Sequence, residues 1–153
     1  MVTQRGGGRL KVEIQEGYPE IEVTIRCPEA SEEIRRIESL LTASAERLPC
    51  TKGGVTHLVD KHDILYCESV DKRCFIYTER DVFETSLKLY ELEELLASAG
   101  FIRNAKAQVL NIGKISSLCP DFGNRIEAVM RNGEKLIVSR QYARQLKERL
   151  GLK

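Results

Sequence analysis

At 153 residues, the chain is long enough to bury a hydrophobic core but too short for two full-sized domains. Its composition, 42% hydrophobic and 31% charged with four prolines, is typical of a folded globular protein and excludes a disordered or fibrous chain. No apolar run approaches the roughly 18 residues that a membrane-spanning helix needs, and the start MVTQRGGGRL lacks the apolar core of a signal peptide. We therefore expect a cytoplasmic protein.

The cysteines and histidines do not suggest a metal site. The five cysteines form no C-x-x-C pair, and His57 and His62 are five residues apart, which does not place two ligands on one helical face. We expect reduced structural thiols, no metal and no cofactor. The sequence shows no pairing of a nucleophile with a base, so we also expect no enzymatic activity.

The net charge of +1 hides an asymmetry along the chain. Residues 1–100 carry 13 Lys and Arg against 19 Asp and Glu, a net of −6. Residues 101–153 carry 11 against 4, a net of +7. A folded basic face is expected of a protein that binds a polyanion, but a merely solvated basic face has the same composition. Charge alone leaves both readings open.

The first predicted elements are two strands and a helix. Apolar and polar residues alternate over 10–14 and again over 21–25, which predicts two strands with Gly17-Tyr18-Pro19 as the turn. Ser31 suits a helix N-cap. A helical apolar stripe follows and ends before Pro49: Ile34, Ile37, Leu40 and Leu41. With a junction at Lys52-Gly53-Gly54, residues 1–54 form a predicted ββα extension.

Short strands and turns dominate after this junction. The predicted strands are 63–69, 73–78 and 81–85, with a loop at 70–72. A helix over 89–96 is predicted to bury Leu92, Leu95 and Leu96 and to end before Gly100.

The last third of the chain contains a predicted hairpin and a final helix. Strands are expected within 101–110 and near Ile115. Asn132-Gly133 between two apolar runs is a strong hairpin signal, because both residue types tolerate positive φ. Ser139 is the predicted N-cap of the final helix, in which Tyr142, Leu146 and Leu150 share one face.

Several of these segments, in this order, resemble the LytTR DNA-binding domain of bacterial transcription regulators. The similarity depends on F-x-R, V-L-N-x-x-x-I and N-G…V-S-R-x-Y motifs at compatible separations and covers roughly 90 of the 153 residues. The segments are DILYCES (63–69), LKLYELEELL (87–96), FIRNAKAQVLNIGKI (101–115) and NGEKLIVSRQYARQLKERL (132–150).

The resemblance implies an α+β, mostly β fold: a LytTR-like elongated β-sheet domain with short helices over residues 55–153, preceded by the small ββα extension. It also implies a transcriptional regulator that reads double-stranded DNA sequence-specifically. The family lacks a helix-turn-helix and inserts loops into the major groove.

The family's contact loops fall on residues of this chain by position. The candidate DNA-binding residues are Lys72, Arg73, Arg103, Lys106, Lys114, Ser139, Arg140 and Gln141. Arg140 is the first candidate, because a guanidinium can bond both acceptors of a guanine edge. Lys106 is the second, as a contact to a base or to a phosphate, whereas Arg103 also suits a structural role. The chain departs from the family at Ala105 and Ala107, where histidine and serine are common, so the resemblance implies fewer polar contacts there.

The role of the extension remains open. Residues 1–59 contain no Asp and are too short for a doubly wound receiver, so we expect no phosphorylated receiver within them. The resemblance suggests three interactions: docking on the second part, pairing with a second copy, or binding a membrane-protein inhibitor. The extension could also simply complete the fold. We expect a homodimer at least on DNA.

The alternative is a protein-interaction or RNA-binding module without enzymatic activity. Sheets that bind RNA usually expose aromatic side chains on which bases stack. Phe101, Phe122 and Tyr142 lie in apolar patterns, and we expect them to pack inside.

Overall fold

The structure of the protein, a computed structural model, describes residues 2–7 and 10–152, with the backbone alone for residues 2–7 and 43–45. The chain divides into two compact units, Met1–Ser39 and Leu40–Lys153. The sequence predicts a junction between the ββα extension and the second part at residue 54. In the structure, Gly53 and Gly54 form a hairpin turn between two strands of one sheet.

Among the described residues, helices are short and strands predominate in the second unit. The strands are β1 (Val2–Gly7), β2 (Leu10–Gln15), β3 (Arg47–Lys52), β4 (Val55–Asp60), β5 (Ile64–Val70), β6 (Arg73–Thr78), β7 (Val82–Thr85), β8 (Phe101–Ala105), β9 (Gln108–Asn111), β10 (Ile115–Pro120), β11 (Ile126–Met130) and β12 (Lys135–Val138). The helices are α1 (Glu32–Glu46), α2 (Leu89–Leu96) and α3 (Arg140–Arg149). None of the described helices has the length and apolar character required to cross a membrane.

The first unit contains an antiparallel hairpin, in which β1 pairs with β2 from Val2↔Gln15 to Gly7↔Leu10. The predicted strand over 10–14 is confirmed as β2. The strand predicted over 21–25 is wrong, because those residues have no regular structure. β1 is closer to β2 in the sequence than residues 21–25 are, and proximity along the chain favours pairing in a hairpin. The predicted helix is confirmed as α1, and the Ser31 carbonyl accepts the Arg35 N–H at 3.1 Å.

The second unit is built on a seven-stranded antiparallel sheet with the order β4-β3-β7-β6-β5-β9-β8. Successive residues on the central strands point to opposite faces. Phe101 and Val109 pack with α2 on one face, whereas Ile102 and Leu110 pack with α3 and a second sheet on the other. Burial on both faces explains the adjacent apolar residues in these strands.

The second sheet has three antiparallel strands in the order β10-β11-β12. The predicted hairpin is confirmed between β11 and β12. The Met130 N–H donates to the Glu134 carbonyl at 2.8 Å, so three loop residues, 131–133, lie between this bonded pair. Gly133 donates its N–H to the Met130 carbonyl at 2.9 Å and has a φ of 88°, while Asn132 does not adopt positive φ. A type I turn followed by a left-handed glycine accounts for this geometry.

Two predictions about apolar side chains are wrong. Leu95 is 43% exposed because Leu89, Leu92 and Leu96 form the buried face of α2, at the spacing that one helical face requires. Phe122 is 86% exposed because it lies in the connection between β10 and β11 and not on a strand.

Candidate nucleic-acid interface

The β5–β6 connection is a two-residue turn that presents Lys72. Val70 pairs with Arg73, and the two residues between them, Asp71 and Lys72, have φ values of 50° and 66°. Positive φ at both central positions is the type I′ geometry, which matches the twist of a hairpin but costs energy for residues other than glycine. Both side chains are exposed.

Arg73 follows this turn and is held on the sheet. Its Nε and Nη2 donate to the two carboxylate oxygens of Glu84 at 2.8 and 2.6 Å, and its guanidinium lies 5.3 Å from the centre of the Phe75 ring. This bidentate pair raises the pKa of Arg73 and lowers the pKa of Glu84. The geometry uses two of the guanidinium donors within the protein.

The β8–β9 connection carries Lys106 and is fixed from both sides. Arg103 donates Nε to the Glu93 carboxylate at 2.9 Å and Nη1 to the Lys106 carbonyl at 2.6 Å. On the other side, the Ser69 N–H donates to the Ala107 carbonyl at 2.8 Å. The Arg103 side chain is only 17% exposed, as its structural role requires. Lys106 is exposed, and no described carboxylate lies within 4.0 Å of its ammonium.

The third segment is the start of α3. Ser139 is the N-cap residue, as the sequence predicted, and its carbonyl accepts the N–H groups of Tyr142 and Ala143 at 2.9 Å. Its hydroxyl makes no capping hydrogen bond. Arg140 and Gln141 are exposed in the first turn, and Arg140 forms no ion pair with any carboxylate that the structure describes.

Asn104 connects the second and third segments. The residue is completely buried. Its Nδ2 donates to Gln108 Oε1 at 2.6 Å and to the Ile137 carbonyl at 3.1 Å, and its own carbonyl accepts the Ser139 N–H at 2.9 Å. Asn104 therefore holds the Lys106 loop beside the start of α3. Sequence reasoning did not single out this residue, although an amide within the apolar strand FIRNA was a signal for such a role.

Strand register places most of the candidate residues at one end of the second unit. The end of β5 lies beside the start of β9, since Glu68 pairs with Gln108, so the Lys72 turn and the Lys106 loop are neighbours. Lys114 is different. It precedes β10 at Ile115↔Met130, whereas Ser139 follows β12 at the other end of the three-stranded sheet. The structure therefore does not bring Lys114 together with Arg140.

The motif V-L-N-x-x-x-I has a structural explanation. Asn111 is buried, its Nδ2 donates to the Ile64 carbonyl at 2.9 Å, and its Oδ1 accepts the Gly113 N–H at 3.0 Å. In the described part of the chain, no three His, Cys, Asp or Glu side chains are grouped so as to hold a metal ion.

Comparisons with known proteins agree on one family. The family model of the LytTr DNA-binding domain matches residues 54–151. A solved LytTr DNA-binding domain from Bacillus cereus matches with a TM-score of 0.66 and 26% identity, covering 70% of this chain and 98% of that one.

Longer relatives share the same region. The sensory transduction protein LytT of Enterococcus faecalis is 28% identical over 139 residues, covering 88% of this chain and 57% of the relative. LytT of Bacillus anthracis is 36% identical over 93 residues, covering 61% and 38%. A Staphylococcus aureus protein named as an HTH-type transcriptional regulator is 28% identical over 96 residues, covering 63% and 65%.

The chain therefore spans about half the length of these LytT relatives. In this chain, five strands separate α2 from α3, so these two helices do not form a helix-turn-helix. The matched residues include all three segments described above, from the Lys72 turn to the start of α3. This chain belongs to the LytTr DNA-binding domain family.

Proposed function

We propose that this chain binds double-stranded DNA sequence-specifically and regulates transcription. The proposal depends on one observation. Two exposed cations, Lys106 and Arg140, lie on neighbouring segments that the hydrogen bonds of Asn104 hold together. Neither cation forms an ion pair with the described carboxylates, so both are available to a polyanion. Membership of the LytTr DNA-binding domain family supports the same ligand.

In this proposal, Arg140 reads a guanine edge in the major groove, where a guanidinium can bond O6 and N7 together. Lys72 and Lys106 neutralise phosphates on either side. The N–H groups of Arg140 and Gln141 precede the first helical N–H bonded to the Ser139 carbonyl, that of Tyr142, and offer phosphate contacts. Ser139 and Gln141 add polar side chains for further phosphate contacts.

The remaining three candidate residues do not contact the bases. Arg73 and Arg103 support the loops, because each is bonded to a glutamate of the protein. Lys114 contacts only phosphate farther along the duplex, because it lies at the opposite end of the three-stranded sheet.

We also propose that the protein binds DNA as a homodimer and that the first unit is an interaction surface, for a second copy or a membrane-protein inhibitor. The strand β2 exposes three apolar residues, Leu10, Val12 and Ile14. Exposed apolar residues that lie close together are typical of surfaces that bind another protein. A monomer in sedimentation, both free and with operator DNA, would contradict dimerisation.

Selection of duplexes from a random DNA pool tests the proposal directly. We expect an enriched sequence with two similar elements on one face of the duplex. Affinity for it should fall as salt rises, by about 0.9 in log K per log salt for each neutralised phosphate. Single-stranded RNA is the competing ligand, and stronger competition by RNA than by random duplex DNA would favour the RNA-binding alternative.

A further inference from the structure

Phe122 is an exposed aromatic residue at the end of the three-stranded sheet where α3 begins with Arg140. The residue is 86% exposed and lies in the connection between β10 and β11. Pro120 pairs with Ile126, which in turn pairs with Val138. The β10–β11 connection and the β12–α3 junction therefore leave the three-stranded sheet at the same end.

The connection around Phe122 is held by several hydrogen bonds. The Arg125 side chain bridges the loop, since its Nε donates to the Phe122 carbonyl at 3.1 Å and its Nη2 pairs with Asp121 at 3.0 Å. The Asp121 N–H also donates to the Arg125 carbonyl at 2.9 Å. Gly123 and Asn124 both have a φ of 64°. A fixed loop that displays a large apolar side chain loses little conformational entropy when that side chain binds.

We propose that Phe122 is an additional DNA-contact residue, which packs against the 5-methyl group of a thymine in the major groove beside the base that Arg140 reads. This inference rests on the proposed function. Paired strands lie about 5 Å apart, so β10 and β12, which flank β11, are about 10 Å apart. The major groove is about 12 Å wide, so the two connections can enter one groove. The thymine methyl is the apolar group that a base pair presents there, and phenylalanine is one of the side chains that contact it.

The experiment measures the DNA affinity of the wild type, Phe122→Ala and Phe122→Leu. Each protein is titrated with the duplex obtained by selection. It is also titrated with copies of that duplex in which single thymines near the Arg140 contact are replaced by deoxyuridine. We expect Phe122→Ala to bind about fivefold more weakly, and Phe122→Leu to retain most of the affinity, since burying one methyl group is worth about a factor of four. Loss of the contacted methyl should weaken the wild type but not Phe122→Ala. The salt dependence should be the same in all three proteins, because an apolar contact releases no counterions.

The outcomes separate this inference from the proposed function. If the wild type selects no duplex, the proposed function fails. If the wild type binds its duplex and Phe122→Ala binds equally well, only the contact by Phe122 is overturned. An equal loss on every thymine and deoxyuridine duplex would also overturn the methyl contact. Melting temperatures of both variants within a degree or two of the wild type would confirm that the substitutions leave the fold intact.

Discussion

The backbone N–H of Ser139 donates to the carbonyl oxygen of Asn104 at 2.9 Å, while the Asn104 side chain bonds Gln108 and the Ile137 carbonyl. One buried residue thus connects a strand of the seven-stranded sheet to the start of the last helix. Asn104 lies two residues before Lys106, so the bonds of this buried residue fix the distance between Lys106 and Arg140.

Replacing Asn104 by Ala is expected to lower the free energy of unfolding by about 1–3 kcal/mol, because buried hydrogen-bond partners lose their donor. DNA affinity of the folded protein should fall as well. Asn111→Ala is the matched control. Asn111 is also buried and hydrogen-bonded, but it lies at the end of β9 that is farther from the Lys106 loop. Urea unfolding and DNA titration measure both quantities. Equal affinity losses in the two variants would show that Asn104 has no special role in the interface.

Glu93→Gln should loosen the Lys106 loop without removing a cation. The substitution weakens the bonds that hold the Arg103 guanidinium, which at present also binds the Lys106 carbonyl. We expect a stability loss of about 1–2 kcal/mol and weaker DNA binding. Glu148→Gln, which affects the exposed pair with Arg144 on α3, should change stability by less than about 0.5 kcal/mol. Unchanged DNA affinity in Glu93→Gln would contradict the positioning role of Arg103.

Arg140→Ala should weaken binding to the selected duplex by about 1–3 kcal/mol and relax the preference at one base pair. Arg149→Ala removes a cation from the last turn of the same helix and is expected to have a much smaller effect. Competition with duplexes substituted at single positions measures the preference. An equal loss of affinity for selected and random duplexes would assign Arg140 to the phosphate backbone.

Lys72→Gly should have opposite effects on stability and binding. Glycine adopts the positive φ of residue 72 without the steric cost of a side chain, so stability should rise by about 1 kcal/mol. The lost cation should reduce the salt slope of DNA binding by about 0.9. Lys72→Arg keeps the charge and serves as the control for both measurements. An unchanged slope in Lys72→Gly would remove this residue from the interface.

Alkaline pH should destabilise the protein partly through Cys50. Burial raises the pKa of this thiol from 9.0 to about 11, so folding favours the protonated form. The resulting stabilisation is complete below about pH 9 and is lost as the pH rises through 11. Urea unfolding at pH 8 and pH 11 should show a smaller decrease in Cys50→Ala than in the wild type. Cys119→Ala, which changes an exposed thiol, should behave as the wild type does.

The sequence predicted the local elements whose signals lie within a few residues. The period of apolar residues predicted α2, the Asn132-Gly133 pair predicted the β11–β12 hairpin, and Ser139 predicted the start of α3. The pattern failed for residues 21–25. Apolar and polar residues alternate there as in a strand, but β2 pairs with β1, and residues 21–25 form no strand. Alternation predicts a strand's two faces but does not choose its partner.

The sequence by itself determined the basic character of the last third, the order of the motifs and the residue types that suit DNA contact. Tertiary structure alone decided which of these cations are available. Arg73 and Arg103 are bonded to glutamates 11 and 10 residues away, and Lys114 lies at the far end of a sheet. Hydrogen bonds between strands distant in sequence fix these positions, and a one-dimensional pattern contains no measure of such distances. For the same reason, only the structure revealed Asn104 as a link and Phe122 as an exposed side chain.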